Sequence, residues 1–297
     1  MLKDPFEKFK TLGILASAQA GTGLYEDQGD NWWVDTEAEY YSPLCSGSRQ
    51  SPIVILTENQ VEYTGSDMLS FSTSYCEAIS GFFENNGNTL QFNIKAGAGD
   101  AIYANHPSAT SSYITGGPLG DNKYHFWQYH FHWGNSGSPG AEHIVDTNYF
   151  AAEVHLVHVH EDYLDDPTGA YADPEGLSVL GIFIVGGATN ATFFDKVSDA
   201  AKDITESGNY TTKVPATMNL NQFVNHINPG YKQAFNYWHY EGSLTTPPCS
   251  EAVIWLVAEH PLKVTDDQVL ISFISISKLF KVLSRLQQGS YPHCTLF

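Results

Sequence analysis

The sequence predicts a β-rich α+β protein, a single domain built on one large sheet with helices at its periphery. Three features predict it. Short runs of β-formers alternate with turn residues through the first half of the chain. One run, Tyr124-His-Phe-Trp-Gln-Tyr-His-Phe-His-Trp-Gly134, alternates its side chains at the two-residue period of an extended strand. Few stretches carry helical spacing over any length.

Taken in order, residues 1–21 hold early lysines, a short apolar run and an Ala-x-Ala ending. That suits a signal peptide, although Asp4 and Glu7 interrupt its basic start. A disordered leader or an N-terminal helix suits the same residues. Residues 1–24 are read as a leader or arm and 25–297 as one domain. Ile53–Leu56, Leu69–Thr73 and Leu90–Ile94 read as strands, with Asn85-Asn-Gly87 and Gly97-Ala-Gly99 as turns. In the run 124–134, Gln128, His130 and His132 share one face. Trp127, Tyr129, Phe131 and Trp133 share the other and read as core.

The next strand, Ala151–His160, sends Glu153, His155, Val157 and Val159 one way and Val154, Leu156, His158 and His160 the other. Residues 161–176, rich in Asp, Pro and Gly, read as a surface loop. Leu177–Val185 is an apolar buried strand. Asn190–Glu206 places Phe193, Val197, Ala200, Ala201 and Ile204 at helical spacing behind an Asn cap. Ala252–Glu259 is another strand, and 265–288 reads as one amphipathic helix. A core-packed helix is the plain reading of that last segment. A partner-binding or membrane-surface helix is the functional one.

Composition narrows the classes. At 297 residues with 13% aromatics the chain can bury a large core. The formal net charge is −19, from 33 acids against 14 bases, and Arg49 and Arg285 are the only arginines. Nucleic-acid binding needs a positive surface, so the charge argues against it. The balance suits an ordinary acidic protein, or a surface adapted to high salt where repulsion is screened. No run of 18 apolar residues exists, so no spanning helix is expected. Cys45, Cys76, Cys249 and Cys294 allow three full pairings.

If the two histidine strands are antiparallel neighbours, His155 sits beside His130 and His132. Three neutral imidazoles with an open fourth position make a catalytic zinc site. Gln128 and Glu153, each two residues before a histidine, can accept the ring N–H that does not touch metal. A lone histidine on a strand is more often a hydrogen-bonded core residue. Two histidines in alternation, a distal third and two polar neighbours are a stronger signal than any one alone.

These residues resemble the α-class carbonic anhydrases. The likeness rests on QYHFHWG at 128–134, AEHIVD at 141–146, AAEVHLVH at 151–158, SVLGIF at 178–183 and SLTTPP at 243–248, with QSPI at 50–53 and NNG at 85–87. It spans about residues 45 to 260, and the chain resembles secreted members, halotolerant algal ones among them. The resemblance implies a twisted, mostly antiparallel central sheet. It implies a zinc enzyme that interconverts CO2 and bicarbonate through a zinc-bound hydroxide. Zinc brings the pKa of its water into the neutral range, a property for which carbonic anhydrases are themselves the reference case.

By the same resemblance, Val157, Val179, Leu244, Val253 and Trp255 wall the CO2 pocket. Without it they read equally well as core. Thr245 donates to an ionised Glu142, so that its lone pairs face the hydroxide, since a carboxylate only accepts. Thr246 lies beside the bicarbonate site, Gln91 and Asn88 line the cavity, and Tyr25 joins the active-site hydrogen bonds. His143 is expected to be structural, bonded within the loop that carries AEH. Fast members carry a histidine where this chain has Asn88, so slower proton export, or another exporting group such as His106, is expected. Secreted members bridge the positions of Cys45 and Cys249, which implies an oxidising, extracellular or secretory setting. Cys76 and Cys294 could pair, stay free or link subunits into a homodimer.

The family's closing segment is not recognisable after Ser277, which leaves the packing it gives the metal histidines unassigned. Two other functions fit parts of the pattern. Some members lose a zinc histidine and act as recognition domains, but all three are present here. A cupin-type iron or copper enzyme also uses alternating histidines. That scheme gives SLTTPP and AEHIVD no role.

Overall fold

The computed structural model describes residues 41–61, 68–86, 88–95, 107, 110–134, 139–205, 213–227 and 236–269. Tyr25, His106 and Cys294 lie outside them. So do the leader and all but the first turn of the expected 265–288 helix.

Thirteen strands are described: β1 (Val54–Ile55), β2 (Ser70–Phe71), β3 (Ile79–Asn85), β4 (Leu90–Ile94), β5 (Tyr113–Thr115), β6 (Tyr124–Trp133), β7 (Ile144–Val145), β8 (Ala152–His160), β9 (Leu177–Val185), β10 (Lys213–Met218), β11 (Tyr237–Gly242), β12 (Val253–Ala258) and β13 (Leu262–Lys263). Three helices accompany them: α1 (Asp195–Thr205), α2 (Asn221–Ile227) and α3 (Asp266–Val269). Eleven strands form one sheet in the order β10-β3-β4-β6-β8-β9-β12-β11, with β5 against β6, β2 against β5 and β13 against β9. Its pairings are antiparallel except β9 with β12 and with β13. The pair β1–β7 stands apart and is parallel. The fold class expected from the sequence is the one observed.

The sheet is apolar on both faces, as a central sheet covered on both sides must be. One face packs Phe92, Tyr129, Phe131, Leu156 and Leu180 against Phe194, Val197 and Ile204 near α1 and Phe223 on α2. Phe92 and Tyr129 stack with ring centroids 5.1 Å apart. Each such fully buried ring contributes roughly 1.5–3 kcal/mol. The other face carries Val157, Val159, Val179, Val253, Trp255 and Val257. The candidate site lies on this second face.

One expectation about β6 fails. Its register against β8 slips between Phe126 and Gln128, leaving Trp127 as an extra residue. Tyr124 and Phe126 face the helix side, and beyond the slip so do Tyr129, Phe131 and Trp133. Trp127 instead packs with the cluster around Val157 and Val179, near Tyr171. A bulge of this kind reverses the parity of everything after it. Here it puts the histidines, not the aromatics, on the open face.

Other differences are local. The helix expected from Asn190 begins at Asp195, behind a 3₁₀ turn at Thr192–Phe194. Asn190 lies one residue before that turn's cap position, its Oδ1 accepting from Thr192 N at 3.2 Å. The 161–176 loop contains two 3₁₀ turns and buries Ala170. Among the described residues no helix is long and apolar enough to cross a membrane.

Candidate metal centre

Strands β6 and β8 are neighbours, and their register sets the site. His130 stands directly opposite His155, and His132 opposite Glu153. The ring centroids of His130 and His132 are 5.0 Å apart, of His130 and His155 5.3 Å, and of His132 and His155 4.5 Å. The ligating nitrogens of the three rings all lie within 4.8 Å of one another. Two nitrogens about 2.1 Å from one tetrahedral zinc stand roughly 3.4 Å apart, so small ring movements close the set. Burial, then the neighbouring rings, push His130 well below the ordinary imidazole range. Burial and then His132 lower His155 too. Both rings are therefore neutral at pH 7, the form that binds metal.

Each ring has one nitrogen committed to the protein. His130 Nδ1 donates to Gln128 Oε1 at 2.9 Å, and His155 Nε2 donates to Glu153 Oε1 at 2.9 Å. His132 Nδ1 lies 3.1 Å from Glu142 Oε1. The remaining nitrogens are Nε2 of His130 and His132 and Nδ1 of His155. Three imidazoles so oriented fit zinc, which takes nitrogen ligands tetrahedrally and keeps a fourth position for solvent in catalytic sites.

Glu153 is fully buried and saturated. Its Oε2 accepts from the backbone N of Glu142 at 3.0 Å and of His143 at 2.9 Å, and its Oε1 accepts from His143 Nδ1 at 2.7 Å as well as from His155. Burial alone would raise its pKa, but the His143 and His155 imidazoles outweigh that and hold it well below the carboxylate range. A second cluster, His143–Glu153–His155, also has ligand-type atoms close together. Those atoms are spent on hydrogen bonds to each other, and His143 Nε2 meets the Tyr240 hydroxyl at 2.7 Å. Tyr240 in turn lies 2.9 Å from Ser51 Oγ. The cluster is scaffolding for His155. His143 is bonded beyond its own loop, to β8 and β11.

Gly181 is a site residue that sequence reasoning passed over. It lies opposite His155 on β9. A Cβ there would come 2.8 Å from Glu153 Oε1 and 3.7 Å from His155 Cδ2. The signal was present: a lone glycine inside an apolar strand marks a close approach.

The other expected residues fall as follows. Gln128, Val157, Val179 and Trp255 form one row across β6, β8, β9 and β12. Val157, Val179, Val253 and Trp255 are buried and Leu244 is half-buried beside them. The Trp255 ring stands edge-on to His155 at 4.8 Å, and its N–H donates to Ser243 O at 3.1 Å. Thr245 and Thr246 are partly exposed on the loop after β11. Glu142 is buried, and the His132 ring lowers its pKa against the opposing effect of burial. Its Oε2 is buried without a hydrogen-bond partner among the described residues, so the expected Thr245 hydroxyl does not donate to that oxygen here. Gln91 sits opposite His130 on β4 and is held by Asn86 Nδ2 at 3.1 Å. Asn88 is in the β3–β4 turn, its backbone N donating to Asn86 Oδ1 at 3.0 Å. Cys45 and Cys249 form a disulfide with Cα atoms 4.9 Å apart, a bond that needs an oxidising setting.

A sheet that brings three imidazoles together on one face has the arrangement of a metal-binding protein. The family model for eukaryotic-type carbonic anhydrase matches residues 28–279. Carbonic anhydrase 7 of Homo sapiens is 32% identical over 251 residues, covering 84% of this chain and 83% of that protein. Carbonic anhydrase 3 of Equus caballus is 31% identical over 249 residues, 83% of this chain and 84% of that protein. Carbonic anhydrase 3 of Sus scrofa is 33% identical with the same coverage. The chain belongs to the eukaryotic-type carbonic anhydrase family. It is a zinc lyase that reversibly hydrates carbon dioxide to bicarbonate and a proton.

Proposed function

We propose that His130, His132 and His155 hold the zinc of this carbonic anhydrase. One observation carries the reading: three nitrogens converge within 4.8 Å while the opposite nitrogen of each ring faces a protein acceptor. Bound zinc acts as a Lewis acid that makes a nucleophile of water near neutral pH. The remaining work belongs to the chain. Gln128 and Glu153 fix the rings of His130 and His155. Val157, Val179, Leu244, Val253 and Trp255 offer CO2 an apolar wall and exclude water from it. In the working site Thr245 would donate to Glu142, a bond absent from this structure, and so turn its lone pairs toward the attacking oxygen. The bare, buried Oε2 of Glu142 supports this, because an unpaired buried acceptor costs about 1–3 kcal/mol that a hydroxyl would recover. Thr246 borders the bicarbonate position and Gln91 the cavity. Tyr25 is proposed to join the same hydrogen bonds.

Asn88 occupies the position from which fast members export protons, and an amide does not titrate in this range. Proton export is therefore slow without an external carrier. The Cys45–Cys249 bond supports an extracellular or secretory location. The charge of −19 supports an acidic, salt-tolerant surface. A homodimer linked through the exposed Cys76 thiol belongs to the same reading. Residues 25–297 then constitute one catalytic domain behind a leader or arm at 1–24.

Stopped-flow CO2 hydration with zinc analysis tests the core of this. Purified protein is expected to carry about one zinc per chain. His132→Ala and His155→Ala are expected to lose both metal and rate, and the wild-type rate is expected to rise with imidazole-type buffer concentration. Full activity in either variant refutes the ligand set. A rate indifferent to buffer refutes the role given to Asn88.

A further inference from the structure

The rings of His130 and His155 are held by the residue two positions earlier on their own strand, Gln128 and Glu153. His132 has no such recourse, because the residue two before it is His130, itself committed. An acceptor for its second nitrogen must come from another element. The segment between β6 and β8 brings one within reach. Glu142 Oε1 lies 3.1 Å from His132 Nδ1, both side chains are almost wholly buried, and Glu142 Oε2 is 3.9 Å from His155 Nδ1. The main chain of Glu142 is itself pinned, its N–H donating to Glu153 Oε2 at 3.0 Å. The preceding Gly140 and Ala141 donate to Phe150 O at 3.0 and 3.2 Å. Glu153 thus fixes the ring of His155 directly and the backbone that carries the His132 partner.

We propose that Glu142 is a positioning residue for His132: its carboxylate accepts the Nδ1 proton, sets the tautomer and turns Nε2 toward the metal. This rests on His132 being a ligand. It is separate from any action of Glu142 through Thr245. A carboxylate has lone pairs enough for both, since each oxygen can serve a different donor.

Zinc affinity separates the roles, measured by chelator competition on full-length protein. Losing a ligand's hydrogen-bond partner weakens metal binding about 10–100-fold. Glu142→Ala is expected to show that loss and Thr245→Ala none. Glu142→Gln keeps the reach and an acceptor oxygen but not the charge. Glu142→Asp keeps the charge but withdraws it by one methylene. Positioning predicts that the Gln variant binds zinc more tightly than the Asp variant, and a purely Coulombic role predicts the reverse. In zinc-free protein, ring ¹⁵N shifts are expected to show His132 protonated at Nδ1 in wild type and a mixture of tautomers in Glu142→Ala. Wild-type zinc affinity in Glu142→Ala, or Asp binding more tightly than Gln, overturns the proposal and leaves the ligand set standing. Wild-type zinc affinity in His132→Ala removes the ligand set itself. If Glu142→Ala does not fold, the Gln and Asp pair decides alone.

Discussion

Strand β8 buries ionisable groups on both faces, and they respond alike to acid for opposite reasons. On the metal face Glu153 is held ionised by the donors around it. On the helix face His158 is enclosed by Tyr75, Phe126 and the carbonyl of Ser178. Burial pushes its pKa down to about 3 from an ordinary 6.5. In the unfolded chain His158 takes a proton below about 6.5 and in the folded chain only near 3. The stability it contributes is thus complete above 6.5 and lost progressively as pH falls toward 3. Each proton taken up by the unfolded state alone costs about 1.4 kcal/mol per pH unit. Replacing His158 by Gln keeps a partner for the Tyr75 hydroxyl and removes the titration. Denaturant unfolding of His158→Gln between pH 6 and 4 is expected to give a slope shallower than wild type by up to about one proton. The variant's lower baseline stability does not affect that comparison. Equal slopes would mean that His158 is protonated in the folded state.

Elements were legible where one period ran unbroken. β4 and β9 were read from sequence with their observed ends, and β8 to within one residue, because turn residues bracket a single uninterrupted pattern. β8 and the stretch of β6 beyond Trp127 showed their candidate ligand histidines for the same reason. The slip at Trp127 was hidden because residues 124–133 are aromatic or imidazole at every position but Gln128, so no polar marker betrays a change of parity. β3 escaped notice because Gly81 and two adjacent phenylalanines break its alternation. The glycine is required there, since a Cβ would meet the Asn93 carbonyl oxygen at 2.2 Å. β10 carries Pro215, and β11 is an edge strand. The contact between Glu142 and His132 lies ten residues apart in sequence and follows no strand period, so only the folded chain shows it. The Cys45–Cys249 pairing was one of three by arithmetic, and the resemblance selected it. That bond closes a separation of 204 residues beside Thr245 and Thr246. The same loop is also tied by Ser42 Oγ to Pro248 O at 2.9 Å and by Arg49 N to Glu251 Oε1 at 2.6 Å. With those ties in place the bond acts chiefly on the unfolded chain. Replacing both cysteines by alanine is expected to cost about 2–5 kcal/mol in denaturant unfolding while zinc content stays at the wild-type level. An unchanged midpoint would show that the bond adds nothing to the fold.

At the scale of the whole molecule the dominant fact is charge. Thirty-three acids face 14 bases. Among the described residues the bridges from lysine and arginine to carboxylates are those of Arg49 to Glu241 and Glu251 and of Lys202 to Asp199, and their side chains are partly or largely exposed. Exposed pairs of this kind contribute little, at most about 1 kcal/mol each. They do not offset a net charge of −19. Folding gathers that charge into a smaller volume, so repulsion opposes the compact state more than the unfolded one. Salt acts on this term directly: the screening length falls from about 10 Å at 0.1 M to about 3 Å at 1 M. If screening recovers on the order of 1–2 kcal/mol, the thermal midpoint rises by several degrees for a chain of this size. Sodium chloride is the right probe, because sulfate also strengthens apolar burial by exclusion from the surface. Melting followed from 0.1 to 1 M NaCl is therefore expected to move upward. CO2 is uncharged and the pocket wall proposed for it is apolar, so hydration at saturating buffer is expected to change much less over the same range. A midpoint that stays level or falls would mean that the carboxylates are spread too thinly for their repulsion to matter, and the salt-tolerant reading of the surface would go with it.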